Sequence, residues 1–368
     1  MYLKPANVVL WPHVNSIYQV IKVIITLVIV FLFLKKGARL DRNSLLCLSF
    51  LVVWSISIYL NNGTLGIRLQ ELLSIIGMLM LFKWIGDSKN KIILLLSIVD
   101  KIAKIYVILE LITILLDKPL FASAVVSYDR YFLGSDNYSA FILIPLASFI
   151  FVYSYIRNSK ITLKAWFFSA IGFLDLAIPI STTGMVSYGL MLLAIILIRY
   201  PNIRNFFTVK KITFMMILFL IAVIGFNIQN NFATILSVVG KVGLNSREII
   251  WPKAIRLILE KPLIGWGKLT ERQIASYALY GADHTHNVIL EFLVDTGLIG
   301  TILVFLWMEG ILKNSIKTSA RYVQIVQVCI AIYMLCAIFD FYIGLIYFWM
   351  MFFVLDMLNV YASNELMK

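Results

Sequence analysis

Two of the three histidines in this 368-residue chain stand one residue apart, in Asp283-His284-Thr285-His286-Asn287. Imidazole is the side chain best suited to moving a proton near neutral pH. The pair closes a long polar loop and stands where the next apolar run begins, at Val288. Asn287, Glu291 and Asp295 follow one another at i, i+4 and i+8, so they share one face of the helix this run predicts. Carboxylates inside such a span should face a water-filled cavity rather than lipid. Asp283, Thr285 or Asn287 can also cap the first amides of that helix. His284, His286 and Asp283 have the ligand types of a zinc site, but neither a fourth ligand nor a second histidine cluster is evident.

The other candidates are mostly cationic. Arg130, in Tyr128-Asp129-Arg130-Tyr131-Phe132-Leu133-Gly134-Ser135-Asp136-Asn137, is a candidate anion clamp, because guanidinium matches phosphate oxygens geometrically. An interfacial anchor with aromatic-belt tyrosines is the equal alternative. Arg247, in Asn245-Ser246-Arg247-Glu248-Ile249-Ile250-Trp251, opens a stretch to Glu260 that reads as an amphipathic helix. Trp251, Ile255, Ile258 and Leu259 can share its apolar stripe while Arg247, Lys253 and Glu260 point elsewhere. Lys261-Pro262 and Gly265-Trp266-Gly267 then break it. Taken alone, Arg247 reads slightly more readily as half of a surface pair with glutamate, with Trp251 at the interface. Ser181-Thr182-Thr183-Gly184 reads as a tight turn between two spans, and Glu110 and Asp175 lie within spans and need partners. Neither a P-loop nor a G-x-G-x-x-G run is present, so no nucleotide site is visible. Asp-x-Asp on the outer loops and a G-x-S-x-G elbow are missing too.

The elements that must position these residues are hydrophobic. The chain is 61% hydrophobic and 14% charged. Apolar runs near the bilayer-spanning length of roughly 20 residues recur from end to end, which predicts a polytopic all-α membrane bundle. Short alternating segments of the β-barrel kind are not the pattern. About eleven spans follow, near 16–34, 44–60, 66–82, 93–116, 136–156, 165–180, 183–198, 212–228, 287–312, 322–339 and 341–360. Asp100, Lys101 and Lys104 interrupt the fourth, where an amphipathic lead-in along the inner surface is an alternative. Every second connection is basic: Lys35 to Arg42, Lys83 to Lys91, Arg157 to Lys164, Arg199 to Lys211, Lys313 to Arg321. The positive-inside rule therefore places them, and the C-terminus, in the cytoplasm. The net charge of +13 reports this topology rather than nucleic-acid binding. Residues 1–368 read as one integral membrane domain, with an extracytoplasmic loop over 229–286 that carries seven cations against the rule. Met1 to Asn15 lacks the signature of a cleavable signal, so the first span is expected to serve as the targeting signal. Cys47, Cys329 and Cys336 all lie in apolar runs and form no disulfide or zinc framework.

Arg247 to Trp251, then Lys261-Pro262-Leu263-Ile264-Gly265-Trp266-Gly267, then His284-Thr285-His286-Asn287, then Glu291 and Thr296-Gly297-Leu298-Ile299-Gly300 together resemble the signature of the O-antigen ligase and polymerase superfamily. Arg130 and Phe132 to Asn137 resemble its upstream element, especially in polymerases of capsular polysaccharide. The family often has an arginine in the turn that here reads Ser181 to Gly184, so a donor-binding task there must fall to another residue or be absent. The resemblance implies a membrane glycosyltransferase of the GT-C type in the cell membrane. Its donor would be a glycan on undecaprenyl pyrophosphate, taken at the outer leaflet. A polymerase moves the growing chain onto a lipid-linked repeat unit; a ligase moves it onto another acceptor. Membrane lipid and chain-length regulator proteins are the further partners expected, with no nucleic acid, cofactor or metal. The chemistry fits: His286 or His284 would activate a sugar hydroxyl, and Arg247, Arg130 and Arg256 would neutralise the departing pyrophosphate. Asn287, Glu291 and Trp251 complete the expected substrate-binding set. A lipid-linked oligosaccharide transporter is the reading from another class. It would call for paired repeats and Gly/Pro-broken spans near the midplane, and neither is evident.

Overall fold

The computed structural model describes residues 2–5, 8, 11–37, 40–62, 66–86, 88–118, 131–200, 211, 214–215, 217–218, 221, 247–269, 282, 284–316 and 320–366. Among these there are eleven helices and no strand. They are α1 (Pro12–Lys35), α2 (Arg42–Asn62), α3 (Gly66–Ile85), α4 (Lys89–Leu116), α5 (Asp136–Asn158), α6 (Leu163–Ala177), α7 (Thr182–Leu197), α8 (Arg247–Glu260), α9 (Val288–Ile316), α10 (Arg321–Cys336) and α11 (Ile346–Leu366). Ten of them fall on the expected spans and α8 on the expected amphipathic stretch. The span near 212–228, and most of the loop over 229–286, lie largely outside the described residues.

Five helices, α1, α2, α5, α9 and α11, are long and apolar enough to cross a membrane. The fold is that of a polytopic helical membrane protein. α7 and α10 are apolar but hold 16 residues each, about 24 Å of helix at 1.5 Å per residue, less than the roughly 30 Å hydrocarbon core. α10 compensates by position: Val323 to Met334 are buried except Gln327, with α5, α7 and α11 packed around it. α1 lies at the rim against α3, and Val20, Ile24, Leu27 and Phe31 present an apolar stripe outward. That face suits lipid, whereas in water it would be a liability.

The site depends on a break in α9. Gly297 has φ +61° and ψ −167°, a conformation that stops the helical hydrogen-bond ladder. The groups this frees are taken by the chain between Pro262 and Gly267. Trp266 N donates to Val294 O (2.7 Å) and Gly267 N to Asp295 O (2.9 Å), while Leu298 N donates to Pro262 O (2.8 Å) and Ile299 N to Leu263 O (3.1 Å). The approach tolerates no side chain: a Cβ on Gly297 would lie 2.4 Å from the Leu263 carbonyl. Ser57 of α2 adds a bond to Asp295 O at 2.9 Å. Such irregular backbone survives at membrane depth only when protein satisfies its polar groups, as here. The Lys261 to Gly267 run is therefore more than a helix terminator; it docks the polar loop on α9.

Candidate active site

His284 to Asn287 form the link into α9, and its shape is set from both ends. Asn287 Oδ1 accepts from Ile289 N (3.0 Å) and Leu290 N (3.1 Å), an N-cap. Its Nδ2 donates to Ile338 O (3.0 Å), and Val288 N donates to Ala337 O (2.9 Å), so the start of α9 is tied to the end of α10. Thr285 N and Oγ1 both donate to Glu291 Oε2, at 2.8 and 2.9 Å. Trp251 Nε1 donates to Thr285 O at 3.1 Å. With these anchors in place His286 is held at φ +53°, in the left-handed region. A non-glycine residue there costs about 1–3 kcal/mol and persists where surrounding structure over-determines it.

The held imidazoles converge on a residue that sequence reading overlooked. Asp340, between α10 and α11, has its Oδ1 2.8 Å from His286 Nδ1 and 3.1 Å from His284 Nε2. Arg247 Nη2 lies 4.0 Å from the other oxygen, Oδ2. The two rings are 3.9 Å apart between centroids. Burial alone would raise the Asp340 carboxyl, but the hydrogen bonds and charge of the two histidines hold it well below the usual carboxylate range. An ionised carboxylate only accepts, so His286 carries its proton on Nδ1 and His284 on Nε2. This leaves Nε2 of His286 as its basic nitrogen. His284, His286 and Asp340 also offer three ligand atoms within 4.8 Å of one another, a spacing a divalent cation could bridge.

A second cluster sets the position of Asp340. Tyr342, two residues on, donates to Glu71 Oε1 at 2.8 Å. Arg68 Nη1 bonds both Glu71 oxygens at 2.6 Å, and its guanidinium lies 4.7 Å from the Tyr342 ring centroid. Arg68 and Glu71 thereby hold the Asp340 loop from α3 through Tyr342, and His284 meets the edge of Tyr342 at 6.1 Å. Two signals could have pointed here: Asp340 is a lone acid between two apolar runs, and Arg68 with Glu71 stands at the start of a span.

The expected residues sort as follows. His284, His286 and Arg247 share the Asp340 carboxylate. Arg247 sits on the buried face of α8 with Ile250, Trp251, Ala254 and Leu257, against Leu290 and Val294. This corrects the expected stripe, which pointed Arg247 away and counted Leu259 in; Leu259 is 73% exposed. The helix chose the register that docks on α9. Arg256 is exposed, nine residues and about two and a half turns beyond Arg247, hence on the other side of α8. Asn287, Glu291 and Trp251 are buried, with polar atoms engaged in the scaffold just described. Asp295 is buried below them. Glu110 accepts from Leu133 N and Ser139 Oγ, both at 2.6 Å, and so folds the Tyr131 to Gly134 turn onto α4. Arg130 and Asp283 lie outside the described residues.

The fold and this cluster define an all-helical membrane protein with a histidine–carboxylate–arginine centre at one end of its bundle. Residues 167–305 match the family described as O-antigen ligase, consistent with the O-antigen ligase and polymerase superfamily. Members of that family are glycosyl-transferring enzymes of the inner membrane, which supports an enzyme here. The match takes in Arg247 and both histidines and stops short of Asp340. No curated protein matches the chain.

Proposed function

We propose that the protein is a polysaccharide polymerase at the outer face of the cell membrane, transferring a glycan from undecaprenyl pyrophosphate to a lipid-linked repeat unit. One observation carries the reading: His286 and Arg247 meet on opposite oxygens of Asp340. Asp340 holds Nδ1–H of His286 and so presents Nε2 as the base. Nε2 takes the proton of an acceptor hydroxyl, and that oxygen bonds to the anomeric carbon of the donor. The bond from anomeric carbon to pyrophosphate oxygen breaks, and lipid pyrophosphate leaves with the electron pair. Arg247 stabilises the charge that develops there; Arg130 remains a candidate for binding the rest of the donor, whereas Arg256, on the far side of α8, could meet only a part of it that wraps around that helix. The donor is preactivated, so the reaction needs no nucleotide at the site, and with arginines neutralising the pyrophosphate it needs no metal. Asn287, Glu291 and Trp251 hold the loop rather than touch substrate.

Incubation of the purified protein with lipid-linked repeat units tests this. A ladder of products is expected, and none from His286→Ala at equal protein level. A ladder from that variant would remove the general-base role. The family's description, O-antigen ligase, supplies a second reading. A ligase would leave lipid-linked repeats unextended until a separate acceptor is supplied.

A further inference from the structure

A second polar feature lies at the opposite end of the bundle. Phe141 near the start of α5 packs edge-on against Tyr333 near the end of α10, at 5.4 Å. The two helices are therefore antiparallel, and the end of α5 lies away from the end of α10 where the histidines gather. There, α4, α5 and the first turn of α6 line an open cleft of about 580 Å³. Lys101, Lys104, Arg157 and Lys164 line it with Asp100, giving four cations against one anion. Lys101, Arg157 and Lys164 are exposed, and Thr162 caps α6 with its side chain on Ala165 N, so the positive end of that helix also faces the cleft. Asp100 is 4% exposed. Its Oδ2 pairs with Lys104 at 2.5 Å, while Oδ1 is buried with no hydrogen-bond partner among the described residues. The cleft thus has surplus cations around a single, buried carboxylate that pairs with one of them.

Its surroundings are apolar. Leu94 and Ile98 on α4 and Leu163 and Phe167 on α6 border the lining residues and are 62%, 47%, 87% and 61% exposed. Side chains of this kind beside a cationic cleft suit acyl chains beneath a headgroup, and basic pockets between spans bind anionic headgroups on the cytoplasmic side. The geometry points to a binding site for a phosphate group, the headgroup of an anionic glycerophospholipid. The phosphate meets Lys101, Arg157 and Lys164 at the open side of the cleft. This site is independent of the histidine centre and of the reaction assigned to it.

Native mass spectrometry of the full chain, stripped of lipid in detergent, is the test. Phosphatidylglycerol should be retained at least about tenfold better than phosphatidylcholine, and the Lys101→Gln, Arg157→Gln, Lys164→Gln triple variant should lose that preference. The charge-conserving Lys101→Arg, Arg157→Lys, Lys164→Arg variant should keep it. Displacement by millimolar inorganic phosphate would assign the same chemistry to a soluble phosphate; resistance to it assigns the site to lipid. Equal retention of the two lipids by the native chain, or of phosphatidylglycerol by native chain and neutral triple variant, would overturn the proposal. Loss of preference in the charge-conserving variant would overturn it as well.

Discussion

At the level of single residues, the centre is a carboxylate shared by three partners. If His286 supplies the base, His286→Ala should lower turnover by about 10²–10⁴-fold, measured as chain extension per unit of folded protein. His284→Ala should cost less, since its ring bonds Asp340 through Nε2 and supports the arrangement from the side. Chelation followed by dialysis should leave turnover unchanged, and restoration of lost activity by zinc would assign the three-ligand cluster to a metal instead. Asp340 also makes a pH prediction. Its folded-state pKa is depressed, so its stabilisation is present above the ordinary carboxylate pKa of about 3.9 and is lost as pH falls through the folded value. The gap in melting temperature between the native chain and Asp340→Asn should hold from neutral pH down to about 5 and narrow below about 4. The histidines and Arg247 were legible as chemistry because their types and spacing are unusual in so apolar a chain. Asp340 was not, because it lies 54 positions from His286 and reads locally as a turn between two spans.

At the level of elements, the docking of the Pro262 to Gly267 segment on the break in α9 controls whether the loop is placed. Gly297→Ala combines a left-handed φ with a 2.4 Å clash against backbone; it should cost several kcal/mol, roughly 2–5, and show as a large drop in melting temperature or yield. Gly300→Ala meets the Cβ of Thr296 at 2.4 Å, which no rotamer change removes, but it has no left-handed φ to strain; it should destabilise clearly, though less than Gly297→Ala. Glu71→Gln should lower turnover more than it changes substrate affinity, because Glu71 positions Asp340 through Tyr342; an unchanged turnover would dismiss that linkage. The apolar runs made ten helices legible, and periodicity gave α8 its bounds. The register of α8 was not legible, since Leu259 and Leu257 look alike until α9 supplies the partner. The break at Gly297 was hidden for the same reason: a glycine in an apolar run shows its φ only once another backbone approaches.

For the whole molecule, the two ends differ in charge and purpose. α3 and α11 run side by side, with Arg68 and Tyr342 joined at one end and Lys83 bonded at 2.6 Å to both Asp41 and Asp356 toward the other. Lys36 also donates to Trp84 O, so the first two basic connections meet at the Lys83 end, away from Arg68 and Tyr342. Single cysteines at 157 and 340, probed in intact cells with an impermeant thiol reagent, should label only at 340; the reverse would invert the topology. The bundle was thus readable from hydropathy and charge, whereas the meeting of α3, α8, α9 and the α10–α11 link at one point is a property of packing alone. The most direct test of the account is a double-mutant cycle on chain-extension rate with His286→Ala, Asp340→Asn and the pair combined. One catalytic unit predicts that the double variant is no slower than His286→Ala alone. Losses that multiply would show that the imidazole and the carboxylate act separately, and the centre described here would not be the site of reaction.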